Sequence, residues 1–279
     1  MPSQLRLVFM ADCQLGCYAT FSGLGADGVA RYAGLGMKVG MVEETSGCDW
    51  DAARYRAAVA EVNALRPDLV VMGGDMVDDC RDRNQLTEFL AVTAGLDRIP
   101  MHWLPGNHDI AFDAVVPTAE SIALYHQNFG PDRYIVRHND VTLIMVNTTI
   151  WQHPEEVPDQ YPDHIDFLAE SLREAADSRH ILVFGHHPLF MDDAEEADLY
   201  WNIPALRRKV ILDLMVAHGV KAFFCGHLHR NGGGRYLGME VVASGPVGYP
   251  LGEDPSGYRL IEIESDRIRH TYLPLKVGE

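Results

Sequence analysis

The stretch Leu69-Val70-Val71-Met72-Gly73-Gly74-Asp75-Met76-Val77-Asp78 decides the fold. Four apolar residues run into Gly73-Gly74 and then into a carboxylate. This reads as a buried strand whose C-terminal tip carries Asp75, with Asp78 three residues on. The same design recurs four times. Leu5–Met10 leads to Asp12 and Gln14, and Met101–Leu104 leads to Gly106-Asn107-His108-Asp109. Ile181–Phe184 leads to Gly185-His186-His187-Pro188, and Ala222–Cys225 leads to Gly226-His227-Leu228-His229. In open α/β sheets the strand C-termini share one rim, and ligands bind there. Five separated segments are therefore expected to build one site.

Working outward, apolar positions Ala58, Val59, Val62 and Leu65 predict a helix that starts at Asp49 or Asp51 and ends before Pro67. Further helices are expected over 85–94, 118–129, 163–176 and 205–218. Hairpin strands are expected at 134–137 and 141–146, with loops over 151–162 and 189–204. From Arg235 the pattern turns to strands, at 236–243, 258–264 and 267–273. Alternating strands and helices followed by strands predict an α/β (α+β) architecture: a two-sheet β-sandwich flanked by helices, in one domain spanning 1–279. Residues 16–49, rich in glycine, form a long connection that reads either as a flap beside the site or as a disordered insertion.

The chain has 279 residues, with 23 Lys plus Arg against 40 Asp plus Glu, for a formal net charge of −17. That balance argues against nucleic-acid partners and anionic membrane surfaces, which need clustered basic residues. Five cysteines, an odd number, and the lack of a signal-peptide pattern point to a reducing, cytoplasmic setting. No run reaches the roughly 18 apolar residues of a membrane span.

The strand tips offer Asp12, Gln14, Asp75, Asn107, His186, His227 and His229. These are oxygen and imidazole donors, more than one tetrahedral zinc needs, and they suit two ions sharing a carboxylate. His108, paired with Asp78 or Asp109, reads as a proton donor to a departing alkoxide. His187 and Arg230 lie beside the donors as candidate substrate contacts, and Tyr200 and Trp201 as loop packing or a substrate wall.

Asp12-x-Gln14, Gly74-Asp75-x-x-Asp78, Gly106-Asn107-His108-Asp109, Gly185-His186-x-Pro188 and Gly226-His227-x-His229 resemble the five ordered motifs of calcineurin-like metallophosphoesterases. Asp12-Cys13-Gln14, the acidic segment 192–198 and Gly226-His227-Leu228-His229-Arg230-Asn231 resemble the branch that includes calcineurin-like phosphoesterase domain-containing protein 1 and bacterial relatives. The resemblance implies two divalent ions, manganese, iron or zinc, with magnesium also acceptable. Asp12, Gln14, Asp75 and His229 would hold the first; Asp75, Asn107, His186 and His227 the second, with Asp75 bridging. It implies His108 as leaving-group donor, oriented by Asp78, and a metal-bridging hydroxide as nucleophile. The expected function is phosphomonoester hydrolysis, on a phosphoprotein or a phosphorylated small molecule. A phosphodiesterase is the alternative, and a catalytically silent scaffold a third reading. Most relatives carry histidine at the Gln14 position. An amide oxygen suits iron or zinc less well than manganese or magnesium, so the first ion is expected to be held more weakly. Metal titration of Gln14→His against the parent checks this, and equal affinities would refute it.

Overall fold

In the computed structural model, residues 5–276 are described. The strands in chain order are β1 (Leu5–Met10), β2 (Leu69–Met72), β3 (Met101–Trp103), β4 (Tyr134–His138), β5 (Val141–Met145), β6 (His180–Phe184), β7 (Ala222–Cys225), β8 (Gly232–Tyr236), β9 (Met239–Ala243), β10 (Gly257–Ile263) and β11 (Ile268–Pro274). The helices are α1 (Cys17–Thr20), α2 (Ala26–Gly34), α3 (Asp49–Leu65), α4 (Arg83–Thr93), α5 (Asn107–Ile110), α6 (Ala119–Phe129), α7 (Thr148–Gln152), α8 (Gln160–Glu174) and α9 (Ala205–Ala217).

One sheet has the order β11-β10-β1-β2-β3 and the other β4-β5-β6-β7-β9-β8. Strands β1, β2 and β3 run parallel, as do β5, β6, β7 and β9. Parallel order matters for function, because it sends the chemistry-bearing ends of β1, β2, β3, β6 and β7 to one rim. Alternation along β1 shows how the sheets pack. Leu5, Leu7 and Phe9 face the second sheet, with Leu143, Leu182 and Phe224 in the same core. Val8 and Met10 face the other way, in a core shared with Tyr55, Val59 and Phe89 of α3 and α4. Both faces are covered, which is why these strands read as continuous apolar runs rather than alternating ones. Between the sheets Phe9 lies 5.7 Å from Phe184 and 6.2 Å from Phe224, centroid to centroid. A third core packs α8 and α9 onto the outer face of the second sheet. The structure is thus the helix-flanked sandwich that the strand and helix pattern implied.

Some local readings differ. Gly232-Gly233-Gly234 belongs to strand β8, paired antiparallel with β9; three glycines carry no strand preference, so tertiary pairing decides it. The expected loop over 151–162 is shorter, because α7 covers Thr148–Gln152 under an Asn147 cap that accepts from the N–H groups of Thr149 and Ile150. Helix α8 begins at Gln160, three residues before the expected start, since Pro162 fits the first turn of a helix. Among the described residues no helix is long and apolar enough to cross a membrane.

Residues 16–48 carry α1 and α2 and fold over the rim through a small core of their own. Cys17, Val39, Tyr249 and Leu251 are buried there, with Tyr18, Phe21, Tyr32 and Trp50 packed around them. Tyr18 stacks on Trp50 at 4.2 Å with the rings 4° from parallel. The buried Asp51 of α3 ties this segment down, its Oδ2 accepting from the Gly16 and Tyr18 N–H groups. Burial pushes the Asp51 carboxyl up to about 7, against the pull of those two N–H groups.

Candidate metal centre

The chain leaves β1 and β2 side by side and stays paired beyond the strand ends. The Asp12 N–H donates to Gly74 O at 3.0 Å, and the Gln14 N–H to Asp75 O at 2.8 Å. Beyond them, Gly248 N–H donates to Asp12 O. These loops turn tightly: Asp12, Gln14, Asp75, His227 and His229 all have positive φ, between 33° and 71°. A Cβ on Gly106 would collide with the Asp75 carboxylate, so only glycine lets the third motif close on the second.

That closure brings the donors together. Asp75 Oδ2 lies 3.1 Å from His186 Nε2, while its Oδ1 accepts from the His108 N–H at 3.0 Å. Asp12 Oδ1 lies 3.6 Å from His229 Nε2 and accepts from the His227 N–H at 3.0 Å. His186 Nδ1 is fixed by Gly73 O at 2.8 Å and His229 Nδ1 by Tyr249 O at 2.6 Å. Each ring thereby presents Nε2 inward. Two groups, Asp75 with His186 and His227, and Asp12 with Asp75 and His229, have ligand atoms within 4.8 Å of one another and could each hold a metal ion. Asp75 is common to both.

The donor set fits such ions. Gln14 Oε1 and Asn107 Oδ1 are buried without a hydrogen-bond partner, although buried polar atoms are nearly always paired. His227 turns its Nδ1 to His186 Nε2 at 3.2 Å. A cation is the partner that carbonyl oxygens and facing imidazole nitrogens have in common. The charges point the same way. Burial alone would push the Asp75 carboxyl up, yet His186 and His108 hold it below the usual carboxylate range. His186 is raised to about 9 despite burial, because Asp75 and Asp12 face it. An ion bound there would compete with a proton for His186 Nε2.

The other candidate residues fall differently. His108 projects into the cleft beside the donors, but its Nδ1 donates to the backbone oxygen of Asp78 at 2.7 Å, while the Asp78 carboxylate stands at 3.6 Å. Asp109 is buried below, accepting from the Met76 and Gly106 N–H groups. His187 is buried, its ring 4.3 Å from that of His227 and its Nδ1 3.2 Å from Thr148 Oγ1. Arg230 packs its stem over Gly252 and is not among the cleft-lining residues. A cleft of about 110 Å³ opens onto the donors. Phe21, Met37 and Leu251 line one part, and Tyr200 and Trp201 another. The Tyr200 and Trp201 rings lie 5.4 and 5.6 Å from that of His227. Sequence reasoning singled out this pair mainly as packing, and it passed over Phe21 and Met37. Phe21 meets Tyr249 at 5.8 Å, a pairing far apart in sequence that no local signal shows.

A calcineurin-like phosphoesterase family model matches residues 5–231, which covers every strand tip of the rim. The chain belongs to the calcineurin-like phosphoesterase family. It is therefore a metallophosphoesterase, a phosphoric ester hydrolase. Among curated relatives of this phosphoesterase, the bovine (Bos taurus) serine/threonine-protein phosphatase CPPED1 is 32% identical over 243 residues, covering 83% of this chain and 77% of the relative. A probable cyclic nucleotide phosphodiesterase of Rhodopseudomonas palustris is 28% identical over 243 residues, with 78% and 82% covered. Among solved structures, a dimetal phosphatase from Danio rerio superposes with a TM-score of 0.65 at 16% identity, covering 98% of this chain and 96% of that one. That last likeness shows the fold.

Proposed function

We propose that this phosphoesterase is a dinuclear phosphomonoesterase. The observation that carries the reading is two groups of buried ligand atoms sharing Asp75, one with His186 and His227 and one with Asp12 and His229, while Gln14 Oε1 and Asn107 Oδ1 of the same strand tips are buried without partners. Asp12, Gln14, Asp75 and His229 would hold one ion and Asp75, Asn107, His186 and His227 the other. Two such ions polarise a phosphoryl group and supply a nucleophile near neutral pH. The protein's own part is positioning. The Asp78 carbonyl takes the Nδ1 proton of His108, which leaves Nε2 facing the cleft. A second proton held at Nε2 is placed for delivery to the leaving oxygen.

The cleft walls bear on the leaving group. Phe21, Tyr200, Trp201 and Leu251 offer apolar and aromatic surface, and no lysine or arginine lines the cleft among the described residues. Exposed acids at Asp192, Asp193, Glu195 and Asp198 stand in the same loop as Tyr200. This environment disfavours polyanions such as nucleotide polyphosphates or nucleic acid. It suits a single phosphate on an uncharged or cationic group, in a phosphoprotein or a small molecule. The printed activity of the bovine relative makes phosphoserine or phosphothreonine peptides the first to try. The name of the bacterial relative keeps diester hydrolysis as a second reading.

The experiment is turnover by metal-stripped protein resupplied with Mn²⁺, Mg²⁺, Zn²⁺ or Fe²⁺, on a chromogenic monoester and a bis-ester. Monoester turnover is expected to dominate. His108→Ala is expected to lower it by roughly 10²-fold or more while both ions stay bound. Dominant diester turnover would replace this reading with the phosphodiesterase, and no turnover by fully loaded protein would replace it with a scaffold.

A further inference from the structure

Gln14 poses a chemical problem that histidine would not. A carboxamide can coordinate through its oxygen but not through its NH₂, and the two ends have nearly the same shape. Rotating the amide by half a turn would aim two N–H bonds at the cation. A glutamine ligand therefore needs a neighbour that penalises one of its two orientations.

The surroundings of Gln14 do this. Its Nε2 donates to Asp78 Oδ1 at 2.9 Å and lies 3.2 Å from His108 Nε2. The hydrogen bond to Asp78 holds the NH₂ end of the amide toward that carboxylate. Its Oε1, at the other end, is buried and unpartnered. In the reversed orientation Oε1 would meet the Asp78 carboxylate, acceptor against acceptor. The second Asp78 oxygen is also committed: Oδ2 accepts from Thr20 Oγ1 at 2.7 Å. Thr20 ends helix α1, so the segment folded over the rim rests on the same carboxylate.

We propose that the Asp78 carboxylate is a positioning residue for Gln14. It sorts the amide so that oxygen faces the first ion, and Thr20 braces it from the overlying segment. The inference rests on the dinuclear reading above and assigns the side chain of Asp78 to metal retention.

The test is metal binding rather than turnover. Mn²⁺ is titrated into metal-free parent, Asp78→Asn, Thr20→Val, Gln14→Glu and the Gln14→Glu/Asp78→Asn pair, and bound metal is counted by elemental analysis. Asp78→Asn keeps the shape but offers an NH₂ that tolerates the reversed amide. It is expected to weaken one of the two ions about 10- to 100-fold. Thr20→Val is expected to weaken the same ion less. A carboxylate at position 14 has no wrong end and repels Asp78. In the Gln14→Glu background, Asp78→Asn is therefore expected to tighten that ion. A merely structural role for Asp78 would cost affinity in both backgrounds, so the reversal of sign decides the matter. Unchanged affinity in Asp78→Asn, or equal losses in both backgrounds with two ions on the parent, would overturn the inference alone. Fewer than two ions on the parent would overturn the dinuclear reading, and this inference with it. Melting of the metal-free variants controls for folding.

Discussion

Two buried clusters in this molecule use the same residue types and end differently. At the rim, Asp12, Asp75 and three histidines bring ligand atoms within 4.8 Å of one another in two groups, and Asn107 Oδ1 is buried without a hydrogen-bond partner. Beneath α6 and α8, Asp132 sits with Asn147, Arg133, His126 and His164. There Asp132 Oδ2 accepts from Asn147 Nδ2 at 2.9 Å and Oδ1 from Arg133 at 3.1 Å. Asn147 Oδ1, whose counterpart in Asn107 is orphaned, caps α7. Burial would raise the Asp132 carboxyl, but His164, Asn147 and Arg133 hold it below its ordinary value, and burial brings His164 down to about 4. Residue type does not separate a metal site from a structural brace. What separates them is that the rim sets carboxylate and imidazole ligand atoms of three residues within 4.8 Å of one another, twice, whereas the Asp132 oxygens are taken up by Asn147 and Arg133.

The contrast can be broken by removing the central carboxylate of each cluster. Asp75→Asn takes the shared ligand from both ion sites, and kcat/KM is expected to fall on the order of 10³-fold with loss of bound metal. Steady-state kinetics with metal analysis checks this, and activity above a tenth of the parent's would dissolve the distinction. Asp132→Ala leaves Arg133 and Asn147 without their acceptor deep in the fold. A loss of roughly 3 kcal/mol of unfolding free energy is expected in urea, with turnover of the folded protein kept within twofold. If turnover falls as steeply as for Asp75→Asn, the Asp132 cluster is no mere brace.

A smaller effect sharpens the comparison at a third buried acid, Asp51. Its folded pKa of about 7 exceeds the ordinary 3.8, so folding favours the neutral form. Its contribution to stability is complete below about pH 3.8 and is lost as pH rises through about 7. Asp51→Asn removes that loss. The variant's stability relative to the parent is therefore expected to rise between pH 4 and 7 and then level off. The net gain is on the order of 1 kcal/mol, since an amide oxygen accepts less strongly from Gly16 and Tyr18 than a carboxylate does. A flat difference in denaturation curves across that range would show that Asp51 is ionised in the folded protein.

How much of this was legible in the sequence follows from the range of each interaction. The strand tips were, because an apolar run and the polar residue it delivers are neighbours in sequence. The sandwich was, because strands buried on both faces leave unbroken apolar runs. Strand β8 was not, since glycines 232–234 take their conformation from β9 and not from their own preference. The backbone partner of His108 was not, since a carbonyl leaves no trace in residue identity: Nδ1 meets Asp78 O at 2.7 Å, with the Asp78 carboxylate that the sequence offered at 3.6 Å. His187, read as a candidate substrate contact from its place beside His186, is buried with its ring 4.3 Å from His227 and its Nδ1 3.2 Å from Thr148 Oγ1, contacts that no local pattern shows. The packing of residues 16–48 depends on Tyr249 and Leu251, which lie far along the chain.

The left-handed backbone at Asp12, Gln14, Asp75, His227 and His229 has a consequence for how this sequence would drift. Each is a side-chain-bearing residue in a conformation that glycine or asparagine adopts at lower cost. Under selection for abundance alone, these five positions are where substitution brings relief. A lineage freed from its chemistry would shed its ligands early and keep its core. A mutational scan scored for folded protein and one scored for turnover should therefore disagree most sharply at those five residues.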